Sequence, residues 1–405
     1  LGVCLAGKKA AWQHAEPVEG RKPFYDQLIR NLAATGSLSL ENRLLLINDY
    51  YEGRYQQLLA QGKPPFVAES IVTIEMSQDP NVPSQLKNLV KPQLTASGVN
   101  GTYFIKNRKG EKIAVFKAMD EEAQMPNNPR NGAADYDPDM PMRYIYRGHV
   151  QGSGWQKEVA ASMIDSDGVL SVPPTVKLEV EFPRRHGSAE SIIKVGSLQR
   201  FARGDAVDTL SFEQMQDLPV AQVQKIGLLD ALIGNADRNF GNCLVDPATG
   251  ELTPIDHGFS LLDSIDYRLD NPQPQSEMNT HFHVLPQLAE PTSPELARWV
   301  LSLNGDAIAG RLRRELNLPE SSIREFRMRL SILQRALEQR KPLSEIVPML
   351  MASQEHCLIE TCAASAAETC RNMEKEWERL PPHEAERART ETYYNIFHKE
   401  LAGHQ

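Results

Sequence analysis

The stretch Asn235–Leu261, NADRNFGNCLVDPATGELTPIDHGFSL, constrains this chain more than any other. Two short apolar runs, CLV and LTPI, flank DPATGE, whose Pro and Gly favour a tight reversal, so the segment is expected to double back as a hairpin. Asp237 and Asn242 stand just before the first run and Asp256 just after the second, so the reversal returns Asp256 to the cleft that holds the other two. A carboxylate that orients a hydroxyl, an amide oxygen and a second carboxylate are the groups that phosphoryl transfer from ATP uses. One positions the acceptor, and two hold a hard divalent cation.

The N-terminal half supplies the complementary parts. Gly98 and Gly101 lie in a small-residue loop ahead of a hairpin, TYFIK-NRKG-EKIAVFKA, where a bare backbone can approach phosphates. Lys117 ends that hairpin, where an ammonium meets the α- and β-phosphates. Glu158, early in the helix-like WQKEVAASMID, is placed to pair with it. Taken singly these residues are ordinary: a turn, a strand end, a surface glutamate. Their order along the chain carries the signal: loop, Lys, helix Glu, connector, Asp-x4-Asn, Asp-x-Gly.

Composition narrows the alternatives. A net charge of −9 and a pI near 5.7 argue against broad attraction to nucleic acid or an anionic surface. Five Cys, an odd number, read as reduced thiols of a cytosol-like compartment. Cys357, Cys362 and Cys370, with His356 beside the first, lack the paired spacing of a structural zinc site and are expected to be buried thiols. No apolar run is long enough to span a bilayer.

The expected organisation is a helical module over 1–92, a β-rich lobe over 93–196, a helical lobe over 197–355 and a helical extension over 356–405. Phe24, Leu28 and Leu32, then Leu44, Ile47, Tyr51, Tyr55 and Leu58, recur at helical spacing. SIVTIEM (70–76), rich in β-branched residues, is expected to be a strand. TVKLEVEF and IIKVGSLQRF also read as strands. SIREFRMRLSILQRALEQR reads as a helix with Ile323, Phe326, Leu330, Leu333 and Leu337 on one stripe.

The segments GTYFIKNRKGEKIAVFKAMDEEAQMPNNPR, KEVAASMID, VPPTVKL, KVGSLQRF, KIGLLDALIGNADRNFGNCLVD and LTPIDHGFSL resemble, in order, the phosphatidylinositol 3-/4-kinase catalytic superfamily, closest to the plant-type phosphatidylinositol 4-kinase gamma branch. The resemblance implies an α+β, bilobal, protein-kinase-like fold with helical additions at both ends, and an active ATP-dependent kinase using Mg²⁺, with Mn²⁺ as an alternative. By position, Lys117 resembles the ATP-binding lysine and Glu158 its helix partner. Asp237 resembles the catalytic-loop aspartate, and Asn242 and Asp256 the metal ligands. Ser97, Gly98, Gly101 and Thr102 fall in the phosphate-covering loop, and Ser197, Leu198 and Gln199 in the connector whose backbone meets adenine. Two positions depart from the family: Asn239 stands where it has His, so any proton handling by that His is absent, and Ala118 replaces a Pro.

The acceptor is a separate question, because a superfamily does not fix a substrate. From 256 to 290 the chain carries Asp256, Asp263, Asp266, Asp270, Glu277 and Glu290 against one Arg268, a balance that repels an anionic headgroup. A protein Ser/Thr acceptor is therefore expected. Phosphatidylinositol is the alternative, with FPRRHG (182–187) or RLRRE (311–315) facing the membrane. A catalytically silent scaffold, with the terminal helical modules as partner-binding surfaces, is the third reading. The flanking modules also suit a bacterial effector acting in a host cytosol.

Overall fold

In the computed structural model the described residues are 18–36, 38–123, 125, 127–130, 149–183, 191–262, 278–351 and 358–381, with scattered positions between 384 and 399. They fall into two compact units. One is drawn from 1–96, 103–116 and 179–194, the other from 97–102, 117–178 and 195–405.

Among the described residues the first unit begins with four helices, α1 (Val18–Ala34), α2 (Leu40–Ala60), α3 (Pro65–Gln78) and α4 (Ser84–Val90). Ser39 caps α2 by accepting a hydrogen bond from the Asn42 amide. The Pro64-Pro65 pair begins α3, where a missing amide costs nothing. Tyr25 stacks on Tyr50 at 4.5 Å between ring centroids, and the Tyr51 hydroxyl donates to Asp79 at 2.9 Å. From the turn of the following hairpin, Arg108 donates to Glu52 and Glu69.

SIVTIEM is not a strand. It lies inside α3, and the helix is buried on nearly every side, including Val67, Ala68, Val72, Thr73, Ile74 and Met76. A helix buried all round has no polar face, so its sequence shows neither a 3.6 nor a 2.0 period, and the β-branched residues dominate a short window. Packing then overrides propensity.

Strands β1 (Gln93–Leu94), β2 (Thr102–Lys106), β3 (Lys112–Ala118), β4 (Thr175–Pro183) and β5 (Ser191–Arg200) form one sheet in the order β1-β2-β3-β5-β4. The expected hairpin is β2–β3, and its Asn107 side chain accepts from the Lys109 and Glu111 amides. Helix α5 (Gly154–Ile164) follows β3.

The second unit is mainly helical. Helices α6 (Phe212–Gln216) and α7 (Val220–Ile233) lie in the chain between β6 (Asp205–Ala206) and the pair β7 (Cys243–Val245) and β8 (Leu252–Pro254), and the three strands form a small antiparallel sheet. Then come α8 (Pro294–Ser302), α9 (Gly305–Leu316), α10 (Glu320–Glu338), α11 (Leu343–Met349) and α12 (Leu358–Trp377). The expected stripe of α10, Ile323 through Leu337, is buried throughout. It packs in one cluster with Val223, Ile226, Leu229 and Ile233 of α7.

Cys243 and Cys370 are buried; the expected zinc question rests on His356 and Cys357 and on the side chain of Cys362, which lie outside the described residues. Among the described residues no helix is long and apolar enough to cross a membrane.

Met76 is fully buried in the α1–α4 core. Replacing it with Ala removes three heavy atoms from a packed site, and the expected loss is about 2–5 kcal/mol in equilibrium denaturation by urea. A strand-like, half-exposed Met76 would cost far less.

Candidate active site

The β7–β8 hairpin sets the geometry. The reversal is an Asp246–Gly250 turn in which Asp246 accepts from the Gly250 amide at 2.8 Å, and Gly250 has the positive φ of +70° that the turn requires. The register pairs Cys243 with Pro254. One step further out, the Ile255 amide donates to the Asn242 carbonyl at 3.0 Å, which brings Asn242 opposite the residue before Asp256. Asp237 joins them through the Asn242 side chain, whose amide nitrogen donates to the Asp237 carbonyl at 2.9 Å and reaches its carboxylate at 3.4 Å. The expected trio is thus assembled by local chain geometry.

Asp256 has a left-handed backbone, φ +58°. An aspartate tolerates this better than most residues, and such conformations concentrate at functional positions. Its carboxylate receives the Lys117 ammonium at 2.9 Å, and the same ammonium donates to Glu158 of α5. The Glu158 side chain is 2% exposed, whereas that of Asp256 is 41% exposed, so the aspartate is the member open to a ligand.

The charges shape one another. Burial alone lowers the Lys117 pKa, but Asp256 and Glu158 together outweigh it and hold the ammonium above its ordinary value. Burial likewise opposes ionisation of Asp256, and Lys117 overcomes it, so the carboxyl sits below its usual range. Burial pushes Glu158 up.

Arg238 is the residue that sequence reasoning passed over. It is 1% exposed and donates to Asp230 at 2.9 Å, to the Ile255 carbonyl at 2.6 Å, to the Asn242 carbonyl, and to His257 Nδ1 at 3.0 Å. Asp230 projects from α7 and also accepts from the Thr280 hydroxyl at 2.8 Å. Guanidinium has no acceptor, so His257 Nδ1 must be the acceptor and the ring proton lies on Nε2. Burial, reinforced by Arg238 and Lys117, pushes the His257 pKa well below its ordinary value, so the ring is neutral. The only signal for this network in the sequence was an Arg flanked by the two expected site residues.

Asn235 is also engaged, accepting the Asp237 amide at 2.8 Å. Gly234 ends α7 at φ +58°, and a Cβ there would fall 2.6 Å from the Arg329 guanidinium, so neither backbone nor space admits a side chain.

The loop Ser97–Thr102 is held by the segment after β3. The Gly101 amide donates to the Glu121 carbonyl at 2.7 Å, and a Cβ on Gly101 would lie 2.1 Å from the Glu121 side chain. Asn128 donates to the Val99 carbonyl, and Arg130 to the carbonyls of Ser97 and Asn100. Glu121, Asn128 and Arg130 therefore brace the loop that holds Gly98 and Gly101. Ser197, Leu198 and Gln199 lie within β5 with buried side chains, and Gln199 donates to Thr175 at 3.1 Å. Gly196, just before them, packs on the Lys117 carbonyl so closely that a Cβ would lie 2.1 Å away. Of the two basic clusters, RLRRE has Arg311 paired with Glu315 and Arg313 with Glu320. FPRRHG lies largely outside the described residues.

These parts, a lysine bridging a helix glutamate and an exposed aspartate beside an Asp-x4-Asn loop, define a kinase-like site, and the comparisons with known proteins give it a family. The family model for phosphatidylinositol 3- and 4-kinase matches residues 98–346. Phosphatidylinositol 4-kinase gamma 4 of Oryza sativa subsp. japonica is 34% identical over 271 residues, covering 61% of this chain and 44% of that protein. Phosphatidylinositol 4-kinase gamma 5 of Arabidopsis thaliana is 31% identical over 280 residues, covering 64% and 40%. This chain belongs to the phosphatidylinositol 3- and 4-kinase family and has its α+β kinase fold. It spans less than half the length of those two relatives. Among solved structures, the Helicobacter pylori proinflammatory kinase CtkA matches 63% of this chain and 92% of its own, with 12% identity and a TM-score of 0.35. A likeness that weak carries no argument about the fold.

Two outcomes follow from this packing. Arg238→Ala leaves Asp230 buried and uncompensated, and the expected loss is about 3–5 kcal/mol in chemical denaturation. Cys243, next to Asn242, has its thiol pushed up to about 12 by burial. The thiolate being the nucleophile, Cys243 is expected to resist iodoacetamide at pH 8 in the folded protein and to label rapidly in urea, as read by peptide mass spectrometry.

Proposed function

We propose that this chain is an ATP- and Mg²⁺-dependent kinase that phosphorylates a hydroxyl of phosphatidylinositol. The observation that carries the kinase reading is the single Lys117 ammonium shared between Glu158 and Asp256, beside Asp237 and Asn242. The names of its relatives, phosphatidylinositol 4-kinases, support the lipid acceptor.

The donor set suits a hard divalent cation. Asp256 is anionic and open, and the Asn242 amide nitrogen is engaged by Asp237, which leaves the amide oxygen as the group that faces a cation. Mg²⁺, with Mn²⁺ as the substitute, would be held by Asn242 and Asp256 and would supply charge stabilisation to the transferring phosphoryl group. Lys117 would meet the α- and β-phosphates while Glu158 fixes its direction. Ser97, Gly98, Gly101 and Thr102 would cover the phosphates, and the backbone of Ser197, Leu198 and Gln199 would meet adenine. Asp237 would orient the acceptor hydroxyl, whose oxygen forms the new bond to the γ-phosphorus as the bond to ADP breaks, with the hydroxyl proton passing to the Asp237 carboxylate. Asn239 has no titratable group, so Asp237 carries that role without the family's His. The boundaries 1–92, 93–196, 197–355 and 356–405 remain our proposal for the domain organisation, with the terminal helical parts as partner-binding modules.

A protein Ser/Thr acceptor, expected from the sequence, is the second reading. It rests on the acidic balance of 256–290 and has no support from the relatives' names.

The test is transfer of label from γ-labelled ATP with Mg²⁺, on phosphatidylinositol vesicles and on a protein extract in parallel. Label is expected in lipid, and Asp256→Ala is expected to lower the rate about 10²-fold or more, since a charge-stabilising group is lost. Label confined to protein bands would establish the second reading. Unchanged transfer by Asp256→Ala would overturn the site.

A further inference from the structure

Helix α5 presents two consecutive charged residues to two different places. Glu158 takes Lys117. Lys157, about 100° further round the helix, turns the other way and is 1% exposed. Its ammonium donates to the Leu261 carbonyl at 2.6 Å and reaches the Ser322 hydroxyl of α10 at 3.3 Å. Gln156, one residue earlier, donates to the carbonyl of Leu316, the last residue of α9, at 2.8 Å.

Leu261 is the far end of the segment that begins at Asp256. It is fully buried with a left-handed φ of +47°, and its amide donates to the Ile233 carbonyl at 2.7 Å, at the end of α7. Halfway along, the Ala236 amide donates to the Phe259 carbonyl at 2.9 Å. The segment His257–Leu261 is therefore tied to α5 at its finish through Lys157, while Glu158 of the same helix shares the Lys117 ammonium with Asp256, just before its start. The catalytic loop holds the same segment from the other side.

We propose that Lys157 is a positioning residue that locks helix α5 to the segment following Asp256 and to α10, so that Glu158 is held on Lys117 by the packed core itself. The physical ground is the asymmetry of buried hydrogen bonding. An ammonium out of water must keep its acceptors, so any rotation of α5 that withdraws Glu158 from Lys117 also strips Lys157 of the Leu261 carbonyl. The engaged arrangement is thereby favoured over the disengaged one without a modification of the segment. A neutral side chain at 157 would fill the space and leave α5 free to turn.

The proposal rests on the kinase reading for its kinetic consequence and on packing alone for its structural one, so two measurements separate them. Hydrogen–deuterium exchange without nucleotide compares wild type with Lys157→Met. Exchange of the amides in α5 and in 257–262 is expected to rise about tenfold together while that of α7 stays unchanged, because the pin ties those two elements. Steady-state kinetics then compare Lys157→Met, Glu158→Gln and the double variant. If Lys157 acts through Glu158, its substitution lowers kcat/KM for ATP about tenfold in the wild type but less than about twofold when Glu158 is already Gln. Should Lys157→Met fail to fold, Ser322→Ala removes one acceptor only and is expected to raise exchange at the same amides by a smaller factor. Unchanged exchange, a rise spread equally over α7, or fully additive kinetic losses would each overturn the proposal. Coupled exchange in a wild type that transfers no label would sink the kinase reading and leave the pin standing.

Discussion

The buried Arg238–Asp230 pair is the contact on which the rest of the site depends. A guanidinium removed from water is tolerated only when its nitrogens find acceptors, and each of the three Arg238 nitrogens has one: the Asp230 carboxylate, backbone carbonyls at the ends of both arms of the β7–β8 hairpin, and a ring nitrogen. The same bonds fix how far Asn242 and Asp256 lie from the catalytic loop. Asp230 is in turn fixed by α7 and by Thr280, so the small hairpin inherits the rigidity of a largely buried helix.

Upon that frame the charges of the site divide by exposure. Glu158 is enclosed and serves Lys117, while Asp256 is open and can change partners. One ammonium between two carboxylates of unequal exposure has a fixed support on one side and an exchangeable contact on the other. This suits a residue that must hold its direction when an anionic ligand arrives. The neutral His257 adds no charge beside Asp256 and completes the coordination of Arg238.

Outside the site, the structure uses backbone-directed side chains to hold loops that have no regular structure. Asn128 and Arg130 cradle the carbonyls of 97–100, and Glu122 accepts the amides of Gly152 and Gly154 at the start of α5. The polar segment around 120–130 is thus a brace between the glycine loop and the helix that carries Glu158. Its Glu121, Glu122 and Asn128 are buried.

The legibility of the chain follows the range of the forces involved. The β2–β3 hairpin, the reversal at Asp246–Gly250 and the meeting of Asp237, Asn242 and Asp256 were readable because turn chemistry and strand register act within some twenty residues. The α10 stripe was readable because one face of that helix is polar. Helix α3 was misread for the converse reason: it is buried all round, and what surrounds it is not written in its own sequence. The Arg238 network, the bracing of Gly101 by Glu121 and the reach of Lys157 to Leu261 were likewise invisible. By itself the sequence determined which groups are available and which of them covalent proximity brings together. The tertiary structure alone decided which charges are buried and what satisfies them, because desolvation depends on neighbours far along the chain.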